Sequence, residues 1–165
     1  MGKAANSSIS LKQIHVTDNF WNKYVHLVKD VIIPYQWDIL NDKLEDVETS
    51  HCIENFKIAA GEKEGEFQGA VFQDTDVAKW LEAVGFVLNY ERDEKLEELA
   101  DETIELIGRA QQPDGYLNTY FTIKEPDGRW SNLMEGHELY TAGHMIEAAV
   151  AYYEATRKRR FLSLI

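Results

Sequence analysis

Cysteine occurs once, at Cys52, and proline three times, and no stretch approaches the roughly 18 apolar residues that a membrane span needs. The single thiol excludes an intrachain disulfide and paired CxxC motifs, and it fits a reducing compartment. No apolar run follows MGKAANSSISLKQ, so no secretory leader is expected. Asn6 stands where a myristoylation motif wants Ser or Thr. Positive charge is also in short supply: 17 Lys and Arg face 29 Asp and Glu, a formal net charge of −12. Such a field repels phosphate backbones and anionic lipid, which argues against nucleic acid and membrane partners. A neutral ligand such as a sugar is compatible with it. Glycine-rich phosphate loops are missing as well. From these absences a cytoplasmic protein is expected.

What is present is helical. A content of 44% hydrophobic residues in 165 is enough for one domain with a real core. ISLKQIHV, residues 9–16, alternates roughly and predicts one short strand. From Trp21 the period lengthens: Trp21, Tyr24, Val25, Val28 and Val31/Ile32 share a helical face, capped by Thr17 or Asp18. Pro34 should kink or restart that helix. A shorter piece runs from about His51 to Ala60. Val77, Trp80, Leu81, Val84 and Leu88 mark one face of the next helix. Leu96, Leu99, Ala100, Thr103 and Ile107 mark the one after, with Asp93 as N-cap. The short link between these two predicts an antiparallel hairpin. QQPDG then fits a type I turn, and a loop with Tyr116, Tyr120, Phe121 and Trp130 follows. The last helix covers roughly 137–157. Leu139, Ala142, Gly143, Ile146, Ala149, Val150 and Tyr153 line one side, and Ala148 and Ala151 keep the other small, so burial between helices is expected. FLSLI reads like the first turn of a further helix.

Three groups could carry chemistry. His137 and His144 lie within about 20° of one helix face, but about 10.5 Å apart in rise, too far to share one ion. His144 reads as a core histidine; His137, at the helix start, could face a cleft or cap the helix. Gln73, Asp74, Thr75 and Asp76 precede a helix and suit capping; the two carboxylates could equally work as acid and base or grip sugar hydroxyls. The loop aromatics suit stacking on a saccharide or plugging the core. Cys52 reads as buried and inert, because its neighbour His51 points to another helix face.

FQDTDVAKWLE, AQQPDGYL and HELYTAGH, in that order, resemble glycoside hydrolase family 127, the group of bacterial β-L-arabinofuranosidases; the likeness runs from about residue 14 onward. The resemblance implies an all-α fold, the first helical hairpins of an (α/α)6 barrel over 14–165, after a flexible or strand-like stretch at 1–13. It implies a retaining glycosidase with a zinc-held cysteine nucleophile and a glutamate acid/base, all expected downstream of Ile165, so that this chain alone is expected to be inactive. It implies that His137 contacts the sugar, with Gln73, Asp74 and Asp76 at the same end as candidate substrate-binding residues. No metal ligand or cofactor is expected within these 165 residues. Exposed helix faces would favour self-association. One departure is ATRKR, where the family often has a glycine after Thr. The alternatives are a non-catalytic carbohydrate-binding or scaffold module, or a piece of another α/α-toroid enzyme.

Overall fold

A computed structural model describes residues 9–165, and it is helical throughout, with no strand among the described residues. Seven α-helices follow in order: α1 Trp21–Leu27, α2 Ile33–Leu40, α3 Cys52–Ala59, α4 Asp74–Tyr90, α5 Glu94–Ala110, α6 Thr119–Ile123 and α7 Glu138–Thr156. The strand expected at 9–16 is not formed. Leu11–Gln13 make a 3-10 turn instead, and Ile9, Leu11 and Ile14 stay exposed. A lone strand would leave its backbone groups without a ladder, and no partner strand is at hand. Residues 1–8 lie outside the described part.

The helix restarts at Pro34, as expected. A π turn, Val28–Ile32, joins α1 to α2, and Pro34 sits in the first turn of α2. Proline lacks an N–H and crowds the carbonyl four residues back, and a widened turn relieves both. Asp18 starts α1 by accepting the backbone N–H groups of Phe20 and Trp21. Only part of the expected α1 face is covered: Trp21 and Tyr24 line an open apolar groove with Phe86 and Tyr90.

The main packing is between α4 and α7, which run parallel. Phe72 meets His137 at their starts, and Gly85 abuts the backbone of Ala151 and Tyr152 further along. A Cβ on Gly85 would come 2.8 Å from the Ala151 carbonyl carbon. That contact explains which side of α7 is buried. Thr141, Met145, Ala148, Ala149 and Tyr152 face the core, while Leu139, Ile146 and Val150, placed together on the expected apolar side, are exposed. Small residues at the closest point, Gly85 against Ala151, let the two helices approach.

The return helix of the hairpin is α5, capped by Asp93, whose carboxylate accepts the N–H of Leu96. Its start lies beside the end of α7, where the Tyr152 hydroxyl donates to Asp101 at 2.7 Å. α5 is thus antiparallel to α7. The type I turn also forms, with Gly115 N–H donating to the Gln112 carbonyl at 2.8 Å. The aromatic loop contains α6, capped by Asn118, and the 3-10 turn Pro126–Gly128. α7 ends at Arg157 in the left-handed region, φ 64°. The tail folds back along α5, burying Phe161 and Leu164, with Arg160 paired to Glu105.

Candidate functional site

Four helix starts meet at one end of the molecule. Gln73 Nε2 reaches Ser50 Oγ at 3.3 Å, joining α4 to the approach of α3. Asp74 accepts from Thr119, joining α4 to α6, and Phe72 packs edge-on against His137, 5.3 Å between ring centres, joining α4 to α7. Each helix N-terminus carries a partial positive charge and unsatisfied N–H groups. In a chain of net charge −12 this end is therefore locally suited to ligand oxygens.

His137 precedes α7 with φ 52°, a left-handed backbone that non-glycine residues rarely adopt. Its carbonyl accepts the N–H of Thr141, but its side chain makes no capping hydrogen bond. The imidazole is half-buried and held between Phe72 and Tyr140, 5.3 and 5.8 Å between ring centres. The ring is fixed by packing while its nitrogens make no hydrogen bond to another described residue.

A cleft of about 380 Å³ is lined by Gln36, Ser50, Asp76, Lys79 and Trp80, among others, and His137 is not part of its lining. Gln73 Nε2 donates to Asp76 Oδ2 at 2.8 Å, which fixes that carboxylate at the rim. Burial raises the Asp76 carboxyl above its ordinary range, against the pull of Lys79. Lys79 bridges cleft and histidine: its Nζ lies 3.3 Å from Thr75 Oγ1 and 5.4 Å from the centre of the Tyr140 ring.

Asp74 is placed differently from the expectation that it touches a ligand. It is buried, and its two oxygens accept the Thr119 N–H at 2.7 Å and the Thr119 hydroxyl at 2.5 Å. Burial pushes its carboxyl up to about 6, against the lowering effect of Thr119. Asp74 ties the start of α4 to the start of α6. Two residues escaped sequence reading. Tyr140 lies inside the HELYTAGH motif with no mark of its own. Glu138 is buried, accepting the Trp130 N–H at 2.8 Å and the Tyr116 hydroxyl, and it anchors the aromatic loop to the start of α7. A polar residue in a first turn carries no sequence mark of burial.

His137 and His144 do not converge. Tyr140 stands between them, its ring 4.6 Å from that of His144. Cys52 is fully buried, and its Sγ donates to the Gln73 carbonyl at 3.3 Å. Burial pushes this thiol well up, which disfavours the thiolate that both nucleophilic attack and metal ligation require. The cysteine-ligated zinc that the family resemblance implies therefore does not fit the cysteine of this chain. No described helix is long and apolar enough to cross a membrane.

The comparisons agree with one another. The family described as beta-L-arabinofuranosidase, GH127 catalytic domain, matches residues 13–165. A non-reducing end beta-L-arabinofuranosidase of Bifidobacterium longum subsp. longum is 40% identical over 167 residues, covering 92% of this chain and 25% of that protein. The crystal structure of a GH127 beta-L-arabinofuranosidase from Geobacillus stearothermophilus T6 superposes with a TM-score of 0.90 at 65% identity, covering 91% of this chain and 24% of that one. A second solved GH127 beta-arabinofuranosidase gives 0.84 at 34% identity, over 94% and 25%. The chain spans about a quarter of the length of these relatives.

Proposed function

The chain belongs to the catalytic-domain family of glycoside hydrolase family 127, and from that membership we propose that it supplies the sugar-contacting corner of a β-L-arabinofuranoside hydrolase. The observation that carries this reading is His137: a strained, ring-clamped imidazole with no capping bond, linked through Tyr140 and Lys79 to a cleft of about 380 Å³. In this reading His137 hydrogen-bonds sugar hydroxyls, while Asp76, held by Gln73, accepts from another hydroxyl at the rim. Tyr140 and Phe72 offer ring surface to the sugar's C–H faces. Asp74 acts through Thr119 by holding α6 and the aromatic loop in place.

The 165 residues by themselves bind rather than hydrolyse. Their lone thiol is enclosed and held neutral, so the cysteine nucleophile of the retaining mechanism comes from elsewhere in the hydrolase. Nucleic acid and anionic membrane surfaces are disfavoured by charge, and the free thiol suits the cytoplasm. The exposed apolar row Leu139, Ile146 and Val150 favours self-association of the chain, which light scattering at tens of micromolar would show as a dimer or larger.

The direct test is ligand-observed NMR of the chain with methyl β-L-arabinofuranoside. Saturable binding that disappears in His137→Ala, without release of free arabinose, is the expected outcome. Binding indifferent to that substitution, or clear turnover, would overturn the reading.

A further inference from the structure

A second cluster lies about two to three turns below the sugar corner, on the seam between α4 and α7. His144 and Glu147 stand at i and i+3 on α7, and Glu82 faces them from α4. One ligand atom from each can be chosen so that all three lie within 4.8 Å of one another. The His144 Nδ1 is buried with no hydrogen-bond partner, an orphaned atom that native interiors seldom leave. It points at the cluster, 3.5 Å from Glu147 Oε2. That separation is already the spacing of two ligands around one ion: bonds of about 2.1 Å at a tetrahedral angle put donors about 3.4 Å apart. Glu82 is half-buried, and among the described residues no lysine or arginine pairs with it. Two carboxylates facing a buried imidazole nitrogen, with no cation between them, form an incomplete electrostatic arrangement.

We propose that Glu82, His144 and Glu147 bind a divalent first-row transition ion of the zinc type, bridging α4 to α7. The donor set is one imidazole and two carboxylates, which suits zinc and cobalt over calcium, whose sites are built from oxygen alone. Glu147 is the exposed member, so the ion enters from solvent on that side and keeps water in its remaining position. The −12 charge of the chain raises the local cation concentration. His144 therefore has a role separate from that of His137, and the two are connected only through the ring of Tyr140. Binding would pin the parallel pair at its midpoint without touching the sugar corner.

The experiment is calorimetric titration of the 165-residue chain with zinc chloride, repeated with cobalt chloride to read the ligand field from visible absorption. One equivalent of ion is expected, with a cobalt spectrum of four- or five-coordinate type. Glu147→Gln, at an exposed position, and His144→Ala should each weaken binding by roughly tenfold or more, while His137→Ala leaves it unchanged. If His144→Ala fails to fold, Glu147→Gln and Glu82→Gln carry the test. Absence of saturable binding, or binding that survives Glu147→Gln and Glu82→Gln, would overturn the proposal. Sugar binding is not read in this experiment, so its result stands apart from the function proposed above.

Discussion

Asp74, in the first turn of α4, holds Thr119 of α6 by both its backbone N–H and its hydroxyl, and the pair is almost wholly shut from water. The carboxyl protonates near pH 6 in the folded protein, well above its ordinary range, because burial disfavours the charge. A raised carboxyl contributes stability that is complete below the unfolded-state value, near pH 4, and is lost as pH rises through about 6. Relative to Asp74→Asn, which cannot titrate, the protein should therefore lose about 3 kcal/mol between pH 4 and 7. Urea unfolding of both forms across that range measures it; a constant difference would contradict it.

Gly85 allows α4 and α7 to touch backbone to backbone. Gly85→Ala should destabilise despite the better helix propensity of alanine, since its methyl would sit 2.8 Å from the Ala151 carbonyl carbon. Overpacking of this sort costs about 1–3 kcal/mol, against at most about 1 kcal/mol gained from propensity. A raised melting temperature would refute the close-packed seam.

Removing the Tyr116 hydroxyl leaves the buried Glu138 carboxylate with one donor fewer. Tyr116→Phe should cost about 1–3 kcal/mol. Proteolysis should become faster in the aromatic loop first, because Glu138 also holds Trp130 there. Cleavage sites read by mass spectrometry would show whether the loss is local.

Arg157 closes α7 with φ 64°, a backbone conformation that glycine adopts without strain. Arg157→Gly should stabilise the chain by up to about 1 kcal/mol, since a left-handed non-glycine residue costs about that much. No change in the unfolding midpoint would mean that the guanidinium, 5.5 Å from the Tyr153 ring centre, repays the strain.

The long amphipathic helices were legible because their apolar residues recur at the helical period. Every residue read onto the α4 face is buried, and Asp93 caps α5 as its position suggests. α7 was harder. Periodicity weights residues by hydrophobicity, but a backbone-to-backbone seam selects for smallness, so the alanine side turned inward and Ile146 and Val150 outward. Five-residue α6 is too short for any period to register, and a left-handed histidine such as His137 has no signature beyond its place before a helix. The cluster of Glu82 with His144 needed the parallel register of two helices separated by the whole of α5, which no local pattern encodes.

The widened turn at Val28–Ile32 is in effect one surplus residue threaded into an otherwise continuous rod. Its phase decides which way everything before it faces: excising a single residue there would rewind the rod and swing Trp21 and Tyr24 through roughly 100° about its axis. The aromatic lining of the groove shared with Phe86 and Tyr90 would then be dispersed, although no lining residue had been altered. Length at that one turn, rather than composition, is the inherited quantity that keeps the first helix aimed at the fourth.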